Sequence, residues 1–158
     1  LKFFSDTAQA NALDDYEEGT WTPTIIGNGG ASGQSYSIQQ GKYTKIGNVA
    51  TYHFDVQLSA KGTMSGTYVL IGGLPYSNDH GSNIGGSGHI NYASDVTFGN
   101  GDGRNVIKIY VNNGAAYLMS PNNTSSGGVS LADYVTVADN HISNATRLIG
   151  TITHHGVS

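Results

Sequence analysis

The alternation of apolar and polar residues is clearest between residues 49 and 58. Its apolar members, which we expect to face a core, are Tyr52, Phe54, Val56 and Leu58. Its polar members, which we expect to face water, are Thr51, His53, Asp55 and Gln57. A period of two is typical of a β-strand with one buried and one solvated face. The pattern therefore predicts a half-buried strand.

Eight further segments rich in β-branched and aromatic residues are separated by Gly- and Asn-rich breakers. These predicted strands are 20–26, 35–47, 67–74, 88–98, 105–111, 115–119, 133–138 and 147–155. The Asn-Asn-Gly at 112–114 predicts a tight hairpin, and Gly41 predicts a β-bulge because it interrupts a regular alternation. A single helical turn is possible at 131–134, but no segment has a sustained helical period. We expect an all-β, antiparallel domain of about nine strands.

The first nineteen residues show no lasting period and contain an acidic cluster around Asp14 and Glu18. We interpret residues 1–19 as a linker from an upstream domain and residues 20–158 as the β-domain. Phe3 and Phe4 either pack on a neighbouring domain or subunit or belong to a frayed tail.

Composition narrows the function classes. The 158 residues contain no Cys, which excludes disulfides and thiol chemistry. Seven Lys and Arg against eleven Asp and Glu argue against a nucleic-acid partner, which requires a basic surface. No apolar run reaches the length of a membrane span, so we expect no membrane insertion.

Three stretches are distinctive in their order: NALDDYEEGTWTPTI, GKYTKIGNVATYHF and SGTYVLIGGLPY. Through residues 13–23, 41–49 and 73–75, the chain resembles the C-terminal domain of bacteriophage tail fibres and tailspikes. After Pro75 no motif matches. The resemblance implies an antiparallel β-sandwich of jelly-roll type that forms a parallel homotrimer at the distal end of a virion fibre, outside the cell. It also implies an upstream shaft or β-helix in the same chain.

Such a terminal domain either binds a bacterial surface glycan or caps and registers the trimer without a ligand. We therefore expect a domain that binds a bacterial cell-surface polysaccharide during host adsorption, with the structural cap as the alternative. A glycan hydrolase or esterase is a further rival.

The sequence contains neither of two common hydrolase motifs, GxSxG and HExxH. Its two Glu residues, Glu17 and Glu18, lie in the predicted linker, and the six Asp residues that follow it lie mostly at turns. We expect no enzyme activity, no cofactor and no resident metal. Two alternatives remain open: His154 and His155 meeting at a threefold axis around a metal, and the GNGDGRN loop at 99–105 holding calcium.

Sugar recognition combines flat aromatic rings with amide, carboxylate and imidazole groups that pair with hydroxyls. The candidates that carry this mixture are Tyr76, Asn78, Asp79, His80, Tyr92, Tyr110 and Asn112, with Asn83, His89, Asn91 and Asn113 beside them. Trp21, close to Pro23, either packs in a core or interface or stacks on a sugar, and its place in the shared motif favours the core or interface.

Overall fold

The computed structural model describes residues 16–76, 85–96, 107–112, 114–122, 130–134 and 141–155. These hold twelve strands: β1 Tyr16–Trp21, β2 Thr24–Gly27, β3 Gly30–Ser32, β4 Ser35–Ile46, β5 Val49–Ala60, β6 Thr63–Ser65, β7 Val69–Gly72, β8 Gly86–Val96, β9 Lys108–Asn112, β10 Ala115–Asn122, β11 Ser130–Tyr134 and β12 Ile142–His155. Within these ranges there is no helix, and so no helix that could cross a membrane.

All strand pairs are antiparallel, as the sequence predicts. The strands form one sheet in the order β1-β4-β5-β12-β8-β9-β10-β7-β2-β3-β6, and β11 pairs with the later residues of β10, beyond those that pair with β7. The expectation of about nine strands in a jelly-roll sandwich is therefore corrected to twelve described strands in one continuous sheet. The difference arises because short strands such as β3 and β6 are too brief to show a period.

Side chains of β4 and of Gln34, the residue just before β4, hold the two halves of this sheet together. The Tyr36 hydroxyl accepts a hydrogen bond from the Ile25 N–H of β2 at 3.2 Å, and the Gln34 Nε2 donates to the Ile25 carbonyl at 2.5 Å. Further along β4, Gln39 Nε2 donates to the Pro23 carbonyl at 3.1 Å. These bonds satisfy the backbone groups of Ile25 in β2 and of Pro23 just before β2, which have no neighbouring strand on the side that faces β4. The sheet therefore curls back on itself.

The core lies inside this curl and is a single apolar cluster. Trp21 is 7% exposed within it, which confirms its interpretation as a core residue. Gly41 faces the indole so closely that a Cβ at Gly41 would lie 2.4 Å from the Trp21 Nε1. The predicted bulge at Gly41 is wrong, because Gly41 pairs regularly with both neighbouring strands and the register of β4 shifts between residues 35 and 38 instead.

Several local predictions are confirmed. Strand β5 shows the expected alternation of buried and more exposed positions. The hairpin at 112–114 joins β9 to β10, with Asn112 paired to Ala115 and Gly114 at φ 75°. Two local predictions are wrong. The segment predicted as one strand at 20–26 is divided between β1 and β2 around Pro23, and 131–134 belongs to strand β11 rather than to a helical turn. Strand β1 begins at Tyr16, before the predicted domain start at residue 20.

Alternation gives the sheet two unlike faces. The inner face contains the buried residues of β5 and β12, among them Tyr52 and Ile152. The outer face contains the intervening residues, among them His53 and Thr151, which are polar and partly or fully exposed. The outer face is the broad polar surface of the described chain.

Candidate functional site

A groove of about 650 Å³ lies on the outer face, across β1, β4, β5, β12 and β8. Its floor is made by β5 and β12, whose outward side chains here are His53, Asp55 and Thr151 together with the apolar Ile149. The lining residues are Thr20, Trp21, Thr22, Gln39, Gln40, Gly41, Lys42, His53, Phe54, Asp55, Asn91, Ile149, Gly150 and Thr151. The lining combines a larger apolar surface with several polar side chains, which suits a ligand that presents both apolar faces and hydroxyl groups.

One end of the groove is organised by an ion pair between neighbouring strands. Arg147 Nε and Nη2 donate to the two Asp55 carboxylate oxygens at 3.0 Å and 2.7 Å. This two-point geometry fixes both side chains more firmly than a single contact would. The hydrogen bond to Asp55 raises the pKa of Arg147, so the guanidinium stays charged. At this site the pair contributes orientation rather than stability, because both side chains remain accessible to water.

The ring of Tyr92 lies over this ion pair. The Arg147 guanidinium carbon is 5.8 Å from the Tyr92 ring centroid, a cation–π distance. Tyr92 nevertheless remains 49% exposed. The contact therefore limits the motion of the ring while leaving much of its surface accessible to a ligand.

A bulge in β8 places Asn91, the residue before Tyr92, in the lining of the groove. Gly150 pairs with Ile90 and Ile149 pairs with Tyr92, which leaves Asn91 as the extra residue on its strand. An unpaired residue at a bulge re-aims its side chain, and Asn91 lines the groove. At the centre, the Thr151 hydroxyl lies 3.3 Å from the His53 Nδ1. Amide, hydroxyl and imidazole groups thus surround one opening.

In the comparisons with known proteins, no family model and no curated protein matches the chain. Among solved structures, the crystal structure of the Dettilon tailspike protein (gp208) matches with a TM-score of 0.56 and 17% sequence identity. The match covers 90% of this chain. The chain has the fold of a tailspike segment. It spans 24% of that tailspike's length, and at this identity the likeness concerns the fold.

The sequence-predicted residues do not form one cluster on this tailspike-like fold. Tyr92, Tyr110 and Asn112 lie on the outer face, and Asn91 lines the groove. Tyr110 lies on β9, where its ring packs 6.5 Å from that of Tyr117. Asn78, Asp79 and His80 lie outside the described residues, as do Asn83, Asn113 and the proposed calcium loop.

Tyr76 lies on the inner side of the sheet, away from the groove. Its ring meets that of Tyr43 edge-on at 5.5 Å, and its hydroxyl donates to the Tyr43 hydroxyl at 3.5 Å. Tyr43 donates in turn to the Glu17 carboxylate at 2.5 Å. These hydrogen bonds lower the pKa of Glu17, and Glu17 raises the pKa of Tyr76. Tyr76 therefore fastens the chain after β7 to β4 and β1.

The structure places one of the two histidines of the threefold-axis alternative, His154, away from the surface. Its imidazole is fully buried on the inner face, so it is enclosed within one subunit and cannot meet two copies of itself at a symmetry axis. Among the described residues, no group of three potential ligands is placed to hold a metal ion.

Sequence reasoning missed most of the groove. Lys42, Arg147 and Thr151 were not candidates, and Asp55 was considered only as an isolated carboxylate. The available signal was the polar half of the alternation in β5, which places His53 and Asp55 on the wet face. The missing information was the register, which brings β4, β5 and β12 side by side.

Proposed function

We propose that this chain is a non-enzymatic, distal domain of a phage tail fibre or tailspike, and that its outer-face groove binds a bacterial cell-surface polysaccharide. The observation that carries the proposal is the exposed Tyr92 ring, held by Arg147 beside a groove lined with hydroxyl-pairing side chains. A sugar's apolar face covers an aromatic ring while amides and imidazoles bond to its hydroxyls. The tailspike-like fold and the three sequence stretches support the same assignment.

The carboxylate content of the groove favours a binding role over a hydrolytic one. Among the described residues that line the groove, Asp55 is the only carboxylate, and Arg147 engages both of its oxygens. Most glycosidases need two carboxyl groups on either side of one bond. Incubating the domain with a polysaccharide that it binds should release no new reducing ends and no acyl groups. Release of either, lost on Asp55→Asn, would establish the enzyme instead.

The binding test uses surface polysaccharide from the host strain and the purified chain. Tyr92→Ala should weaken binding about five- to tenfold, since an aromatic contact contributes roughly 1 kcal/mol. His53→Ala should also weaken it. The matched control is His155→Ala, because His155 is an exposed histidine at the far end of β12, outside the groove. Equal effects of His53→Ala and His155→Ala, or no binding by the folded chain, would contradict the proposal.

A second candidate, the structural cap that trimerises the fibre, is favoured by an apolar pair on the outer face. Tyr16 and Ile46 lie directly opposite each other on β1 and β4 and are 52% and 48% exposed. Burial of such a pair between subunits would stabilise a homotrimer. Sedimentation equilibrium of the chain should then give a trimer that Ile46→Asp dissociates. A monomer at all concentrations would remove the support that this pair lends to the cap.

A further inference from the structure

Basic side chains recur along one line across the outer face. The register pairs Thr20 with Lys42, Lys42 with His53, His53 with Thr151, Thr151 with His89 and His89 with Lys108. We call these six residues, of which four are lysines or histidines and two are threonines, the basic row. The row crosses β1, β4, β5, β12, β8 and β9, one residue from each strand, and its first four members line the groove.

The basic row is long and accessible. Strands lie about 4.8 Å apart, so six of them extend over about 24 Å, the length of an oligosaccharide of several units. Lys42, His53, His89 and Lys108 are all exposed. A ligand lying across the strands would meet each of them in turn.

The arrangement has no evident benefit for folding. Lys42 lies directly opposite His53, and His89 lies directly opposite Lys108. Two basic groups at opposed positions of neighbouring strands do not stabilise a sheet, and they repel each other when both are charged. Within the described part of the chain, neither Lys42 nor Lys108 has an ion-pair partner.

Acidic groups on the same face do not cancel this charge. Asp55 lies next to the basic row, but Arg147 neutralises it at 2.7 Å. Glu18 is displaced from the row along β1 and accepts a hydrogen bond from the Tyr16 hydroxyl at 2.9 Å. Lys42 and Lys108 thus place two positive charges along the row, on a chain whose formal net charge with neutral histidines is −4.

We infer that the groove takes an anionic polysaccharide, one that carries carboxylate groups such as uronate or sialate units, and that the polymer lies across the strands along the basic row. This inference rests on the proposed function and adds the class of glycan and its direction. Lys42 and Lys108 supply fixed charges, while His53 and His89 supply hydrogen-bond donors beside them. Binding an anion also relieves the repulsion between opposed basic groups.

The test uses the chain on an immobilised panel of bacterial surface polysaccharides, half of them uronate- or sialate-bearing and half neutral. Each acidic polymer is paired with its carboxyl-reduced form, which keeps the backbone and removes the charge. We expect binding to acidic polymers that is lost on carboxyl reduction and that weakens between about 0.02 M and about 0.5 M salt. Affinity should also rise with oligosaccharide length until the ligand covers the row.

Variants then locate the site. Lys42→Gln and Lys108→Gln should each weaken binding by up to about fivefold, and the double variant by up to about 25-fold, the effects expected of exposed charge pairs. The control is Lys45→Gln, which removes the same charge from the inner side, where Lys45 lies 5.9 Å from the Tyr76 ring centroid. Thermal unfolding confirms that each variant is folded.

The outcomes separate the two proposals. Groove binding that survives carboxyl reduction, or that is confined to neutral polymers, would overturn the anionic class and leave the proposed function standing. Equal losses in Lys42→Gln and Lys45→Gln would overturn the basic row as the site. Failure of the folded chain to bind any polymer of the panel would overturn both proposals together.

Discussion

Replacing Gly41 by Ala tests whether the absence of a side chain at position 41 is what allows the Trp21 indole to pack in the core. An added Cβ would lie 2.4 Å from the Trp21 Nε1 and 2.5 Å from its Cδ1. These separations are far below van der Waals contact, so the indole must move within a filled core. The indole N–H also donates to the Lys42 carbonyl at 3.3 Å, a bond that the displacement would break.

The expected cost follows from these contacts. Overpacking of a core costs about 1–3 kcal/mol, and a lost hydrogen bond about 1 kcal/mol. Exchanging glycine for alanine in a strand returns about 0.5–1 kcal/mol. We therefore expect Gly41→Ala to lower the free energy of unfolding by about 1–3.5 kcal/mol.

Urea unfolding followed by Trp21 fluorescence measures this directly, because the chain contains one tryptophan. Wild type and variant are compared at equal protein concentration, since assembly would change the apparent stability. The control is a double-mutant cycle with Trp21→Phe, whose smaller ring leaves room for the Cβ. All four proteins of the cycle are followed by circular dichroism, because the Trp21→Phe background contains no tryptophan. Gly41→Ala should cost clearly less in that background. A loss below about 0.5 kcal/mol with an unchanged emission maximum would refute the packing argument.

Two further predictions concern buried polar groups. Burial lowers the pKa of His154. Between about pH 6.5 and the lowered pKa of the folded state, the unfolded chain therefore binds a proton that the folded chain does not. The urea midpoint of the wild type should fall as the pH decreases through this window, and it should fall less steeply in His154→Leu. A slope that is the same in both proteins would contradict this. Tyr36→Phe should destabilise the fold by about 1–2 kcal/mol in the same assay, because the buried Ile25 N–H loses its acceptor; an unchanged midpoint would show that this bond does not hold the curl.

Local pattern accounts for the parts of the fold that the sequence predicted well. The period of two in β5 and the Asn-Asn-Gly turn before β10 depend on neighbouring residues, and both appear as predicted. Gly41 shows the limit of such reasoning. The interrupted alternation around Gly41 suggested a bulge, whereas the structure shows Gly41 regularly paired. The position requires glycine because the indole of Trp21, twenty residues earlier in the sequence, fills the space that a side chain would need.

Candidate binding residues were predicted from composition, and composition does not report the face on which a residue lies. Tyr76 and Tyr92 are both tyrosines among polar neighbours. The structure places Tyr76 against Tyr43 on the inner side and Tyr92 over Arg147 at the outer groove. Only the second ring is exposed to a ligand beside polar groups.

The sequence by itself determined that the chain is antiparallel β, where several strands and turns lie, and which residues of β5 face water. These properties follow from side-chain periodicity and turn chemistry, which act over a few residues. The tertiary structure alone decided the strand order, the curl of the sheet and the register. Register joins residues such as Lys42, His53 and His89 across long separations in the chain. The groove and its basic row exist because of that pairing, which no local pattern specifies.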